Sequence, residues 1–116
     1  MWERIRIIKS PISRQELLKI AEELFGDLIK AVVDIENGIM AIGGELHSDE
    51  EAVLLEQGSK QENLWGINIY PQEPKEKWIE FDSVINIRPA QGNRSRNVED
   101  ARKREKIVQI VNSLIE

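Results

Sequence analysis

The segment 88–97 carries the densest group of side chains able to recognise an anion. It combines three guanidinium groups with amides, a hydroxyl and a flexible glycine, and it leads from a predicted strand into a predicted helix. Helix N-termini present free N–H groups to anions, and arginine forks bind phosphate or carboxylate through two donors. We therefore expect a small phosphate-bearing ligand here, held by Arg88, Gln91, Gly92, Asn93, Arg94 and Arg96. In the alternative, the arginines pair with nearby acids such as Glu99, and Ser95 or Asn97 caps the helix.

A second group combines carboxylates with the single histidine of the sequence. Glu45 and His47 share one face of a predicted strand, and a chain that stayed extended would add Asp49 and Glu51. Such ligands suit Mg²⁺, Mn²⁺ or Fe²⁺ better than zinc, and the metal candidates are Asp34, Glu45, His47, Asp49 and Glu51. A bound metal could activate water for a hydrolase or nuclease, with Glu45, His47 and Asp49 as catalytic candidates. The alternative is a solvated acidic edge in which Lys30 faces Glu45.

His47 could also act alone as a general base near neutral pH. Ser48 would point to the other side of a strand, and Ser59 and Ser83 lack the G-x-S-x-G setting of a serine hydrolase. The absence of cysteine excludes disulfides, thiol catalysis and cysteine-held metal clusters. No catalytic signature is diagnostic, so the sequence leaves open whether the protein is an enzyme.

A hairpin over residues 28–47 would position these groups. Asn37-Gly38 lies between two runs of alternating apolar residues, which is the strongest short-range signal for a β-hairpin. A two-residue turn there pairs Glu36 with Ile39. One face of the ribbon is then apolar, with Ile29, Ala31, Val33, Ile35, Met40, Ile42 and Leu46. The other face is predicted to meet water and to carry any site, with Lys30, Asp34, Glu36, Glu45 and His47.

Two later segments add amides to the polar face. Residues 65–70 and 78–88 alternate as strands, with Asn68 and Asn86 out of phase with the apolar side chains. Together with Arg88 these amides could read a polar ligand, or they could form a ladder that only solubilises the face. Trp78 begins the longer strand, either as an exposed ligand platform or as core at the sheet edge.

The remaining elements follow from capping residues and hydrophobic periodicity. Two helices are each predicted to begin at a capping box and to end at a glycine. The first has the box Ser13 and Glu16 and ends at Gly26. The second has the box Ser48 and Glu51 and ends at Gly58. The second helix is predicted over 49–57, with a strand as the rival interpretation. A strand over 5–8 precedes them, and a helix over 98–115 ends the chain.

This order of elements predicts an α+β fold. We expect a single two-layer domain over 1–116, with a mainly antiparallel sheet and two long helices packed on its apolar face. A chain of 116 residues is long enough to bury a real core.

Composition limits the class of partner. Hydrophobic residues make up 41% of the chain and charged residues 32%, which is typical of a folded soluble protein. No apolar run suits a transmembrane helix and no signal peptide is visible, so we expect a cytoplasmic protein without a membrane partner. The net charge of −5 argues against a general nucleic-acid binder.

The charge is distributed unevenly along the chain. Residues 34–62 hold eight acidic residues against one lysine, and residues 88–106 hold seven basic residues against three acidic ones. The plain interpretation is a solvated surface. A sharper interpretation is that the two regions bind different ligands, or that they meet across a homodimer.

Two phrases of the sequence carry a family resemblance: GGELHSDEEAVLLEQGSKQENLWGINIYP and EFDSVINIRPAQGNRSRNVED. From about Leu28 onward the chain resembles a family of short, uncharacterised bacterial and archaeal proteins, known as a domain of unknown function. The resemblance implies a small prokaryotic protein of unassigned role, and it transfers no activity, cofactor or catalytic residue. From the residues we favour a binding module for a small anionic ligand. The metal-dependent hydrolase and the homodimeric interaction protein remain alternatives.

Overall fold

The fold was described from a computed structural model, which covers residues 4–116. The helices and strands are β1 (Arg6–Ile8), α1 (Arg14–Leu24), β2 (Ile29–Asp34), β3 (Ile39–Ile42), α2 (His47–Glu56), β4 (Leu64–Ile69), β5 (Ile79–Glu80) and α3 (Ala101–Leu114). Short 3₁₀ turns lie between them at Gln61–Asn63, Lys75–Lys77, Val84–Asn86 and Pro89–Gln91. Within this part of the chain, no helix combines the length and the apolar character needed to cross a membrane.

The predicted α+β class is confirmed, with an antiparallel sheet in the order β1-β3-β2-β4-β5. The two long helices α1 and α3 contribute to the main core, because each presents an apolar stripe to one face of the sheet. That core includes the predicted apolar face of the hairpin, with Ile29, Ala31, Val33, Met40 and Ile42 fully buried. Trp78 belongs to the same core, as its edge-packing interpretation predicted.

The hairpin between β2 and β3 is confirmed, but its register differs from the prediction by two residues. Asp34 pairs with Ile39, so the loop holds residues 35–38. The cause is the Asp34 carboxylate, whose Oδ1 accepts the N–H groups of Glu36 and Asn37 at 3.0 Å each and shapes the loop. A shift by an even number of residues leaves each strand side chain on its predicted face.

The ribbon ends earlier than predicted, and the continuation of its faces beyond β3 is wrong. Gly43 has φ +93°, and a Cβ there would collide with the carbonyl oxygen of Arg4, so only glycine fits this bend. Leu46, expected in the core, is 54% exposed. Lys30 pairs with Asn68 across β2 and β4, whereas the predicted register placed it opposite Glu45.

The second face of the sheet is partly covered, contrary to the prediction of an open polar face. α2 contacts the sheet there, and an apolar cluster forms between them from Val32, Ala41, Leu54 and Leu64, edged by Ile5, Ile7, Ile39 and Ile85. Asp34, placed in water by the prediction, is fully buried. The prediction failed because it weighed the charged residues of this face and not the apolar ones between them. An open site on this face must therefore lie where α2 leaves the sheet uncovered.

The predicted strand over 78–88 is also wrong beyond β5. The side chain of Asn86 takes over the edge of β4: its Oδ1 accepts the N–H of Gly66 at 2.8 Å and its Nδ2 donates to the Gly66 carbonyl at 2.9 Å. Ser83 packs so closely that a Cβ on Gly66 would lie 2.6 Å from the Ser83 Cβ. A side-chain amide thus replaces the strand pairing, and it holds residues 83–86 against the sheet.

The helix predictions hold in type and differ at the ends. Ser13 caps α1 by accepting the Glu16 N–H at 3.1 Å, as the capping box predicted. α2 is a helix, but it begins at His47 with Leu46 as its N-cap, so the predicted capping role of Ser48 is wrong. α3 begins later than predicted, with Asp100 as its N-cap. The consequence for function is that no side chain caps α2.

Candidate functional site

A polar pocket opens where the N-terminus of α2 meets the uncovered part of the sheet. Its volume is about 210 Å³. Five parts of the chain meet there: β2, β4, the start of α2, the segment that follows β5 and the segment that precedes α3. The lining residues are Lys30, Leu46, His47, Ser48, Asn68, Asp82, Ser83, Val84, Ile85 and Arg96. The pocket thus gathers candidates from the histidine group, the amide face and the arginine loop.

The N-terminus of α2 contributes backbone donors to this pocket. The first N–H groups of a helix have no acceptor inside the helix and need a side chain, water or ligand. Leucine at the N-cap cannot supply one, and the N–H groups of His47 and Ser48 have no acceptor within residues 4–116. Both residues line the pocket, so these donors and the positive end of the helix dipole are available to an anion there.

His47 is held in one orientation and stays neutral at neutral pH. Its Nε2 lies 2.8 Å from the Ile67 carbonyl oxygen, which fixes Nε2 as the protonated nitrogen and leaves Nδ1 as an acceptor. Burial lowers the pKa of the imidazole, and the positive charges of Lys30 and Arg96 lower it further. The hydrogen bond to Ile67 and the charge of Asp82 raise the pKa but do not outweigh burial. The pocket therefore offers an imidazole lone pair beside two cations.

Lys30 and Arg96 supply the positive charge of the pocket. Lys30 projects from β2, and its ammonium lies 5.1 Å from the centre of the Phe25 ring, a cation–π distance. Arg96 reaches in from the segment before α3, and its Nε donates to Oδ1 of Asp82 at 2.6 Å. That ion pair is about half exposed, so Asp82 orients the guanidinium without removing it from solvent. Two cations against one carboxylate leave a positive balance.

Asn68 lies in the pocket wall with an unused acceptor. Its Nδ2 donates to Oε1 of Glu80 at 2.9 Å and to the Asp82 carbonyl at 3.2 Å. Its Oδ1 is buried and has no partner within the described residues, and the residue as a whole is only 8% exposed. A buried acceptor without a donor costs free energy, so the wall of the pocket holds one unsatisfied polar group.

The predicted anion loop uses several of its polar groups to hold its own shape. Asn93, almost fully buried, donates through Nδ2 to the Asn86 carbonyl at 2.7 Å, and its Oδ1 accepts the Glu99 N–H at 2.8 Å. Gly92 adopts φ +79° to close the turn. Gln91 donates to the Glu62 carbonyl at 3.1 Å, at the surface. These three candidates hold the loop together in this structure, and none of them lines the pocket.

The carboxylate of Glu99 accepts hydrogen bonds from the residues that follow Asn93. Oε2 of Glu99 accepts the N–H groups of Arg94 at 2.8 Å and Ser95 at 2.9 Å, and also the Ser95 hydroxyl at 2.9 Å. These bonds, with that of the Ser95 hydroxyl strongest, lower the pKa of Glu99. The structural alternative considered for this loop holds in part, because the side chains of Arg88 and Arg96 pair with Glu51 and Asp82. Glu99, however, bonds backbone N–H groups and Ser95 instead of an arginine side chain, and Asp100 caps the helix in place of Ser95 or Asn97. Arg94 is exposed and does not line the pocket, whereas Arg96 does.

Arg88 links α2 to the edge of β4. Its Nη2 donates to the Leu64 carbonyl at 2.6 Å and lies 3.3 Å from Oε2 of Glu51, and its guanidinium stacks 4.7 Å from the Trp65 ring centre. Only 11% of the Arg88 side chain is exposed. Arg88, a predicted ligand-binding residue, therefore contacts both α2 and the sheet, but it does not line the pocket.

The metal candidates do not come together. Within residues 4–116, no three histidine or acidic side chains lie close enough to hold one ion. Glu51 pairs with Arg88, and Glu45 is exposed on the bend before α2. Asp49 follows His47 on the helix, because the chain does not stay extended as the metal hypothesis required.

Asp34 has a structural role instead. Its Oδ2 accepts the Asn37 amide at 2.8 Å and the Ser59 hydroxyl at 2.7 Å, in addition to the two backbone bonds of the hairpin loop. Burial alone would raise the pKa of Asp34, but these hydrogen bonds outweigh it and lower the pKa. The carboxylate ties the β2–β3 loop to the chain after α2.

The fold and the pocket define a small α+β protein with a polar cleft at an uncapped helix N-terminus. The chain belongs to the family described as "Protein of unknown function (DUF5674)", whose model matches residues 6–114. No match was found among curated proteins or among solved structures.

Of the ten residues that line the pocket, sequence reasoning named His47, Asn68 and Arg96 as site candidates and missed the other seven. Among these, Lys30 was placed on the polar face opposite Glu45, and Leu46 was assigned to the core. The leucine in front of an acidic first turn was the available signal, because serine, threonine, aspartate or asparagine usually occupies an N-cap.

Proposed function

We propose that the protein is a binding module for a small anionic ligand of the phosphate-monoester type, held in the pocket at the start of α2. The observation that carries the proposal is convergence: His47 and Ser48, whose N–H groups are uncapped, line the same cleft as Lys30 and Arg96. Backbone donors, a helix dipole and two flexible cations are the usual components of a phosphate site.

The size of the pocket suits a small ligand. A volume of about 210 Å³ corresponds to roughly seven waters at about 30 Å³ each. It accommodates a phosphate group and a short organic body, and is too small to enclose a large cofactor. The site differs from the loop expected from sequence, since Arg96 is the one arginine of segment 88–97 that lines it.

Substitution of the two cations tests this proposal. We expect Arg96→Gln and Lys30→Gln each to weaken binding of inorganic phosphate about tenfold or more, because a hydrogen bond to a charged group contributes roughly 1.5–3 kcal/mol. Isothermal titration calorimetry at low ionic strength measures the change.

Arg94→Gln is the matched control, since Arg94 is exposed in the same segment but does not line the pocket. It should bind phosphate as the wild-type protein does, apart from a small loss of general attraction. Equal losses in Arg94→Gln and Arg96→Gln, or no phosphate binding by the wild-type protein at millimolar concentration, would contradict the proposal.

A further inference from the structure

Three apolar side chains line this pocket, Leu46, Val84 and Ile85, and the first two of them are exposed. Leu46 is 54% exposed and Val84 64% exposed, and both line the cleft. They come from different elements, the N-cap of α2 and the 3₁₀ turn Val84–Asn86. In that turn Ser83 and Asn86 are buried, so the exposure of Val84 is not a general property of the segment.

Leu46 affects the site in two ways. As an N-cap without an acceptor it leaves the helix N–H groups open, and as a large side chain it adds apolar surface directly beside them. A binding site for a bare inorganic anion would need only the first of these properties. The second indicates a ligand whose anionic group is joined to an apolar body.

The unused acceptors in the wall indicate that this body also carries hydrogen-bond donors. Oδ1 of Asn68 is buried without a partner, on a side chain more than nine-tenths buried. Nδ1 of His47 also has no partner within residues 4–116, because Nε2 is the nitrogen bonded to Ile67. A ligand hydroxyl or amino group would satisfy Nδ1 of His47, and would reach Oδ1 of Asn68 if that side chain turned towards the pocket.

We propose, resting on the proposed function, that the ligand is a nucleoside monophosphate. Its phosphate lies at the N-terminus of α2 with Lys30 and Arg96, its hydroxyl groups lie against Asn68 and His47, and its base lies at the mouth between Leu46 and Val84. This class of molecule joins one anionic group, hydroxyl donors and a flat body with apolar faces. The modest pocket volume is consistent with a base that is only partly enclosed.

Calorimetry with inorganic phosphate, ribose 5-phosphate and the four common ribonucleoside monophosphates tests the inference. At least one nucleotide should bind tenfold or more tightly than ribose 5-phosphate. Leu46→Ala and Val84→Ser should each weaken binding of that nucleotide at least threefold more than they weaken binding of inorganic phosphate, since each removes apolar surface beside the base.

Leu55→Ala and Ile87→Ser are matched controls, because both side chains are exposed and apolar but lie outside the pocket. They should bind all probes as the wild-type protein does. If the nucleotides bind no more tightly than ribose 5-phosphate, the inference is overturned while the proposed function stands. If no phosphate-bearing probe binds, the proposed function itself fails.

Discussion

The tautomer and the orientation of the His47 ring depend on one backbone carbonyl group. The bond from Nε2 to the Ile67 oxygen selects one tautomer and fixes the ring, and burial next to Lys30 and Arg96 disfavours a third positive charge. The imidazole is therefore an acceptor in the pocket, complementary to the donors around it. Its sequence position suggested a metal ligand or a base, but its hydrogen bond to the Ile67 carbonyl of β4 determines which ring nitrogen is free.

Glu50 is a second titratable residue of α2, buried directly beneath the bend that precedes the helix. Oε2 accepts the Gly44 N–H at 2.9 Å, while Oε1 is buried without a partner within the described residues. Burial raises the pKa of Glu50 well above its usual value, and the bond from Gly44 only partly opposes it. The folded protein therefore retains this proton at pH values where the unfolded chain has lost it.

We expect Glu50→Gln to flatten the pH dependence of stability. Because the pKa of Glu50 is raised in the fold, its contribution is complete below the unfolded pKa and is lost as pH rises towards the folded pKa. Glutamine keeps an acceptor for Gly44 and cannot ionise. Urea denaturation from about pH 5 to about pH 9 should show a smaller decline for the variant than for the wild-type protein.

Glu45→Gln serves as the comparison, because Glu45 is an exposed carboxylate close by in the sequence. It should leave the decline intact. A Glu50→Gln variant whose stability changes with pH in the same way as that of the wild-type protein would show that Glu50 does not hold its proton in the fold.

At the scale of elements, the missing N-cap of α2 makes the helix less stable and leaves its first N–H groups free for the proposed anion. An N-cap aspartate would accept the free N–H groups and would add a negative charge at the positive end of the helix. We therefore expect Leu46→Asp to raise the free energy of unfolding by about 0.5–2 kcal/mol and to abolish phosphate binding. Denaturation and calorimetry on the same sample measure both effects.

Leu46→Asp is informative because stability is expected to rise while phosphate binding is lost. A misfolded or loosened protein would lose binding and stability together, so a stabilised variant without binding isolates the helix terminus as the site. A Leu46→Asp protein that is more stable and still binds phosphate like the wild-type protein would place the anion elsewhere.

The element scale also shows how much the sequence could predict. α1 and its cap were accessible because Ser13 and Glu16 act within one turn. The strand over 78–88 was not, because alternation cannot reveal that Asn86 would bond Gly66 twenty residues away and end the pairing. Local signals predicted local structure, and a side chain that replaces backbone pairing left no local signal.

At the scale of the whole molecule, the faces of the sheet were predictable and their coverage was not. The hairpin faces held even though the register shifted by two, because strand alternation depends only on parity. α2 then covered Val32 and Ala41, and this limited the open polar face to one cleft. The types of residue in the candidate site were therefore predictable from the sequence. Which residues line the site depends on the part of the sheet that α2 leaves uncovered.

The uneven charge of the chain bears on where an anion would bind. The net charge is −5 and residues 34–62 are strongly acidic, whereas residues 88–106 are basic. The acidic region repels an anion and the basic region attracts one in general. We therefore expect binding in the cleft to depend on Lys30, Arg96 and the helix terminus, which meet there.

An amide-resolved NMR titration with inorganic phosphate tests this central claim most directly. We predict that the backbone N–H signals of His47 and Ser48 and the side-chain Nε signal of Arg96 shift most, in a saturable manner. The signals of Arg94 and Ser95, whose N–H groups bond Glu99, should change little. Shifts centred on Arg94 and Ser95, or no saturable shift at the start of α2, would contradict the account.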